Sequence, residues 1–469
     1  MALLIAFLVF WVSMVAAIFT GYSMIIALLV GLAAFSAAAV IKGFGLRELC
    51  SMALDGAKGS LIVIEVMCVI GFVTASWRVS GTITIFVYYG MKIITPSLFL
   101  IIAFLLSCLL SYALGTSFGV AGTVGVIFMT LARSGGVDPV ITAGVLMSGV
   151  YFGDRGSPVS SSANMVAGIT GTKIFDNVRL MMKTAVVPFV LTLTVYVVLS
   201  LGNPISHVDG TLVASFEEEF VLSMWAFVPA VVMLVLPLLK VSVLISMGLS
   251  ILCAVLTAWL VQEVPIFEVL KICIFGYQAQ GEGLGAILNG GGLVSMLEIV
   301  FILLISSSYS GIFSGTGLLD ELQEKLSRAC TRFGRFTVML MMSIGTAAVF
   351  CNQTIATLMC CDLLKKPYLE VGSSPEASAE SSAETSDEAG CAVPPADGST
   401  DSDASMTELA IDMENSVILI ACFIPWSIGC NVPLSFFGAD FHSLPFAIYM
   451  YAVPIFWLLM KKRWFAEKQ

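Results

Sequence analysis

About a dozen predominantly apolar runs, each near the length that carries a helix across a bilayer, constrain this chain more than any motif in it. They fall at roughly 1–19, 22–41, 60–77, 97–132, 139–165, 184–201, 220–239, 241–261, 284–312, 336–364, 415–436 and 443–460. Charged residues are only 12% of the chain and hydrophobic ones 58%, whereas a soluble domain carries about twice that share of charge. Backbone groups in lipid must be satisfied within the segment, so the expected fold is an all-α polytopic membrane protein. The first run lacks a basic leader region and a small-residue cleavage site, and is taken as the first helix.

The formal charge of −10 is local. Twelve acids lie between Glu370 and Glu414 in a stretch without Lys or Arg, and without them the remainder carries +2. Residues 369–412 are rich in Ser, Ala, Glu, Asp and Pro, with little to bury, and are expected to form a disordered cytoplasmic loop, a solvated insertion. Basic residues cluster at 42–58, 173–183, 325–335 and 461–463, all of which can share the cytoplasmic face. The connection 203–219 carries four acids and no base, which suits the outside and leaves both termini cytoplasmic. The twelve cysteines are scattered singly through apolar runs, apart from Cys360-Cys361, and read as small apolar residues.

Several features recur in fixed order. Glu65 opens a run ending Ser80-Gly81-Thr82, and Glu298 opens one ending Ser314-Gly315-Thr316; Gly115-Thr116 and Gly345-Thr346 each interrupt a later run and are followed by Thr123 and Thr354. The charge map gives the two copies opposite directions, so the chain is expected to hold two inverted-topology repeats, an arrangement common in secondary transporters. The expected division is a first repeat over 1–202, an external connection over 203–219, and a second repeat over 220–368 and 413–469, interrupted by the acidic loop. Segments 44–57, 82–95, 266–278 and 317–329 are expected as surface-lying amphipathic helices, with a thin span as the alternative for 82–95. Arg78 and Lys92 read as snorkelling to the head groups.

The stretch 151–172 carries the most chemistry. It sets Asp154, Arg155, Ser157, Ser160, Ser161, Ser162 and Asn164 around Gly153, Gly156 and Pro158, residue types that break a helix and leave free carbonyls and hydroxyls. One carboxylate among hard oxygen ligands suits a small cation that exchanges with a proton, and an ionisable residue at membrane depth is a functional candidate by default. The plainer alternative is a loop in which Asp154 and Arg155 pair at the surface. Thr116 and Thr123 in the first half, and Asn352 and Thr354 in the second, add neutral ligands near expected breaks at Gly115 and Gly345. The expected second-half counterpart of 151–164 is the stretch around Pro425, residues 425–433, which has no carboxylate and makes the halves chemically unequal. Glu65 and Glu298 read equally as proton carriers and as interface residues. The chain has no Walker A, HExxH or GxSxG pattern, and no cofactor, nucleic acid or resident metal is expected.

These residues resemble the NhaC-type sodium/proton antiporter family of bacteria. The resemblance runs through Ser80-Gly81-Thr82, Tyr88-Tyr89-Gly90, Gly115-Thr116-Ser117, Ala121 to Gly125, Gly153-Asp154, Ser157-Pro158, Ser160 and Asn164, and more loosely through Gly345, Asn352-Gln353 and Pro425-Trp426. It implies a secondary antiporter of the cell membrane, with broken helices around a central site for sodium and protons. Relatives in the wider ion-transporter group exchange small organic acids, so an organic-acid or amino-acid exchanger is the first alternative and a passive channel a remote one. A homodimer in the bilayer is compatible with all three. One departure stands out: the family usually has an acid followed by Thr-Thr after the serine matching Ser160, where this chain has Ser161-Ser162-Ala163.

Overall fold

The computed structural model describes residues 2–20, 23–58, 61–93, 96–204, 216–239, 241–279, 285, 288–316, 320–370 and 399–466. Helices dominate them, no strand occurs among them, and the one isolated bridge pairs Tyr277 with Gly290. The tip of the 203–219 connection (205–215) and residues 371–398 of the acidic loop lie outside the described residues.

In the first half, α1 (Ala2–Thr20) and α2 (Met24–Ile41) pair, followed by α3 (Leu46–Lys58), α4 (Leu61–Val79) and α5 (Thr82–Ile93). Then come α6 (Phe99–Leu114), the short α7 (Ser117–Val120), a π-helical turn (Ala121–Gly125), α8 (Val126–Ser134), α9 (Pro139–Gly156), α10 (Ser161–Thr170) and α11 (Ile174–Gly202). The second half runs through α12 (Val228–Leu238), α13 (Val243–Leu260), α14 (Ile266–Phe275), α15 (Leu297–Thr316), α16 (Asp320–Phe333), α17 (Arg335–Phe350) and α18 (Gln353–Glu370). It closes with α19 (Ser399–Glu414), α20 (Val417–Ile420), α21 (Ile428–Phe437) and α22 (Ile448–Ala466).

Among the described residues, four helices are long and apolar enough to cross a membrane, or six if each of two bent pairs is one span. The pairs are Ile64–Val79 with Thr82–Gly90, bent by 64°, and Asp403–Phe423 with Ile428–Phe437, bent by 55°. Further apolar helices of 10–17 residues include Phe99–Leu114, Arg335–Phe350 and Ile448–Lys461. Many apolar runs of the sequence are therefore cut into pieces shorter than a full span.

Lipid is as apolar as a leucine side chain, so helices associate in it through close packing of small residues and through polar contacts. Gly149 and Gly153 bring α9 against Ser107 and Ser111 of α6 so closely that a methyl group on Gly153 would strike the backbone of Ser111 and Tyr112. Gly56 of α3 and Gly311 of α15 meet in the same way. The buried apolar side chains form two clusters. The larger includes Tyr151 of α9, and the smaller joins Ala163 of α10 to Met339 of α17, Ala356 of α18 and Leu409 of α19.

Three expectations change. The α5 helix does not lie on the surface: Thr82, Ile83, Thr84, Ile85 and Val87 are buried, because Gly81 at φ +75° turns the chain back into the bundle. Arg78 is buried rather than snorkelling, and its Nη1 donates to the Thr74 carbonyl at 2.7 Å. Residues 399–412, expected to belong to the disordered loop, lie within α19, with Leu409, Ala410 and Ile411 packed inside the protein.

Candidate functional site

Asp138 caps α9, its Oδ1 accepting the Val140 amide at 2.8 Å, and Pro139 opens the helix. The helix stops after Gly156 because Ser157 is extended (φ −92°, ψ 138°) and Pro158 has no amide to donate. Ser160 then caps α10, its Oγ accepting the Ser162 amide at 3.1 Å. Asp154 sits in the last turn of α9, only 3% exposed. Ser160 Oγ lies 2.5 Å from the Asp154 carbonyl and 3.3 Å from its Oδ1, Ser162 Oγ donates to Oδ1 at 3.2 Å, and Gln353 Nε2 donates to Oδ2 at 3.3 Å. Hydrogen bonds to a carboxylate are commonly shorter than these, and the two oxygens offer about four lone-pair sites, so the carboxylate retains capacity for another ligand.

Two further helix breaks meet this turn. The α6 helix ends at Gly115, which is left-handed (φ +65°), and a methyl group there would strike the backbone of Val159 and Ser160. Thr116 accepts the Gly119 amide at 3.3 Å and starts α7, which runs into the π-helical turn. In the second half α17 ends at Cys351, also left-handed (φ +55°), and α18 begins at Gln353. Gln353 Nε2 also donates to the Ile418 carbonyl at 2.9 Å, so one amide joins Asp154 to α20. Around the second break, Cys351 accepts the Ile428 amide at 2.8 Å, Trp426 Nε1 donates to the Ala348 carbonyl at 2.7 Å, and Tyr151 OH reaches the Gly429 carbonyl at 2.5 Å. Each half thus packs the break of one helix against the broken connection of another.

Arg155 is 1% exposed. Its Nη1 donates to Tyr449 OH at 2.8 Å, and its Nη2 lies within reach of Thr184 Oγ1 (2.7 Å), Asn415 Oδ1 (2.5 Å) and the Met181 carbonyl (3.1 Å). These acceptors are neutral, so hydrogen bonds hold the guanidinium while its charge must be balanced from nearby carboxylates. Glu414, at the end of α19, is fully buried, with Arg155 and Asp154 as its charged neighbours. Among the described residues neither oxygen of its carboxylate meets a hydrogen-bond donor.

A model of the Na+/H+ antiporter family matches residues 1–162 and 149–395 of the chain. The chain belongs to this family. It is 25% identical over 422 residues to the Na(+)/H(+) antiporter NhaC of Alkalihalophilus pseudofirmus, covering 88% of this chain and 85% of that protein. It is 24% identical over 333 residues to the malate-2H(+)/Na(+)-lactate antiporter of Bacillus subtilis (70% and 71% of the two chains). With the arginine/ornithine antiporter ArcD of Halobacterium salinarum it shares 27% identity over 318 residues, 64% of each. Family membership and the apolar helices make the chain a multi-pass membrane protein of the transporter class.

Of the residues singled out from sequence, the fold brings Asp154 and Ser160 together. Ser157 donates to the Tyr112 carbonyl at 2.6 Å, and Asn164 donates to the carbonyls of Pro158 (2.9 Å) and Ser160 (2.7 Å), so both hold the turn in shape. Thr123 donates to the Gly119 carbonyl at 2.6 Å, and Asn352 accepts the Thr354 amide at 2.9 Å; these two serve the backbone of the breaks. Ser161, Thr354, Glu65 and Glu298 are exposed, the last two on the outer faces of α4 and α15. Gly345 is not at a break: it lies inside α17, which continues to Phe350, since a lone glycine weakens a helix without ending it. Pro425 does lie in a break, between a 3-10 turn (Ala421–Phe423) and α21. Gly153 and Gly156 fall in the last turn of α9, before the break at Ser157-Pro158.

Sequence reasoning missed Asn415 and Glu414 as neighbours of the cluster; it named Ser162 in the stretch without choosing it as a ligand, and its alternative of a surface pair between Asp154 and Arg155 does not hold, since both are buried. The stretch 425–433 has no carboxylate, and α19 ends on Glu414 as α9 ends near Asp154. Glu414 was hidden among the acids counted with the hydrophilic loop. The signal that separates it is the apolar run that begins directly after Ser416.

Proposed function

We propose that this protein is a secondary active antiporter that exchanges sodium for protons across the cell membrane at Asp154. The observation that carries the reading is a buried carboxylate at the meeting of broken helices, its hydrogen bonds among the described residues coming from neutral side chains of α18 and of α10 and its cap. A lone carboxylate in a low-dielectric site is costly when ionised and empty, so it binds either a proton or a cation. Asp154 takes one or the other, Ser160 and Ser162 turn their hydroxyl oxygens toward sodium when it enters, and Gln353 supplies its amide oxygen after rotation. Thr116, Thr123, Ser157, Asn164 and Asn352 keep the breaks open for this exchange.

The order of elements supports two inverted repeats, with the left-handed break at Gly115 matched by that at Cys351. We read the bent and short helices as broken spans that bring the total to about a dozen, with both termini in the cytoplasm and the acidic loop between α18 and α19 on the same side. The test is transport by purified protein in vesicles with a pH-reporting dye inside. An imposed proton gradient should collapse when sodium is added, and silence to sodium would overturn the reading. An exchanger of small organic acids or amino acids is the second reading, favoured by Arg155, a buried guanidinium whose Nε has no partner among the described residues. A gradient that collapses with malate, lactate or arginine and not with sodium would select it.

A further inference from the structure

The buried charges around Asp154 do not balance in the arrangement described so far. Arg155 is charged at any physiological pH. Glu414 adds a second carboxylate, fully buried and, among the described residues, without a donor to either oxygen, joined to the cluster through Asn415, the next residue, whose Oδ1 is 2.5 Å from the guanidinium. The helix that carries it packs on α10, the helix that follows the Asp154 turn, and on α11, α18 and α20. An ionised carboxylate buried without donors is one of the costliest groups a fold can hold, which points to a ligand that completes it.

We propose that Glu414 is the second carboxylate of the transport site, and that Asp154 and Glu414, with the charged Arg155 as their neighbour, together bind one exchangeable positive charge. The inference rests on the sodium/proton reading of Asp154. With both acids ionised the three groups sum to −1, so one proton or one sodium ion makes the cluster neutral, and both at once would leave it at +1. Sodium entry therefore breaks one carboxyl O–H bond and releases that proton to water on the side to which the site is open. The reverse step returns the proton as sodium leaves, and the cycle moves no net charge. The charged neighbours of Glu414 are Arg155 and Asp154. Thr184 on α11 and Tyr449 on α22 hold Arg155, while Tyr368 on α18 and Lys461 on α22 are engaged by Asp412 and Glu408.

The experiment compares wild type, Glu414→Gln, Glu414→Asp and Asp154→Asn in vesicles, with isotopic sodium uptake and a pH dye read together, and with infrared difference spectra of the protein on sodium addition. Wild type should release one proton per sodium at a rate indifferent to an imposed potential. Glu414→Gln leaves the empty cluster already neutral, so exchange should fall at least tenfold, sodium affinity should drop, and the spectrum should lose intensity in the protonated-carboxyl band. Glu414→Asp should retain exchange with a shifted pH profile. Wild-type exchange with Glu414→Gln within twofold of it at every pH overturns this inference and leaves the Asp154 reading standing. A wild type silent to sodium overturns both. More than one proton per sodium overturns the single-charge arrangement. If Glu414→Gln does not fold, Glu414→Asp decides, since an unchanged pH profile and sodium affinity there count against the inference.

Discussion

At the scale of single residues, Asp154 and Arg155 are adjacent in sequence and opposite in task. The carboxylate is held loosely by neutral donors and is free to change its ligand; the guanidinium is fixed by Tyr449, Thr184 and Asn415 and cannot change its charge. Replacing Asp154 by Asn keeps the shape and removes the exchangeable charge. Sodium-driven proton release in vesicles should fall below detection while the thermal unfolding midpoint stays at or above that of wild type. Replacing Arg155 by Met should instead act on the fold, because it strips a cation from beside buried acids and leaves their charge uncompensated. A loss of about 3–5 kcal/mol is expected, read as a lowered unfolding midpoint in detergent and poor recovery of monodisperse protein. Asp154 was legible as a lone acid in a helix-breaking context. Arg155 was not, since nothing in a Gly-Asp-Arg-Gly string distinguishes a surface pair from a buried cation whose partners come from α11, α19 and α22.

At the scale of elements, the first-half breaks were readable because they are written in residues with few other uses. Gly115 adopts a left-handed conformation and abuts the Val159 backbone, and Pro158 cannot continue α9. Gly115→Ala meets both penalties: about 1–2 kcal/mol for the left-handed backbone and a collision with backbone atoms that cannot move aside. It should lower the unfolding midpoint and reduce exchange even though the residue touches no ion. The second-half break was misread for the complementary reason. It falls at Cys351, a residue type that rarely accepts positive φ, held there by the Ile428 amide donating to its carbonyl and by Trp426 reaching Ala348. Those contacts are supplied by a segment nearly eighty residues away in sequence, so Gly345-Thr346 was the only local signal and pointed to the wrong turn of α17. The same blindness to tertiary context placed α5 at the surface, although every one of its first four residues is buried.

At the scale of the whole molecule, α19 ties the Asp154–Arg155 cluster to a second polar centre. Asp412, two residues before Glu414, is fully buried and accepts from Trp457 Nε1 at 2.7 Å, from Tyr368 OH and from Lys461, while Glu408 bridges Lys461 Nζ (2.6 Å) and Arg335 Nη1 (2.7 Å). This network clasps α17, α18, α19 and α22. Lys461→Met should cost about 3–5 kcal/mol by stranding a buried acid, and the double change with Asp412→Asn should recover part of that loss, a coupling that a double-mutant cycle of unfolding midpoints measures. It also bounds what can be removed from the acidic segment: deleting 376–394 should leave sodium-driven exchange within twofold, whereas a deletion carried on through 408 removes Glu408 and should abolish folded protein. By itself the sequence determined that this is a helical, multi-pass membrane protein of the antiporter kind, because apolar run length and the chemistry of Gly, Pro and a lone Asp act locally and need no partner. Only the tertiary structure decided which acids are buried. Glu408, Asp412 and Glu414 look the same in a charged stretch as their neighbours, and what separates a solvated carboxylate from a buried one is the set of helices packed around it.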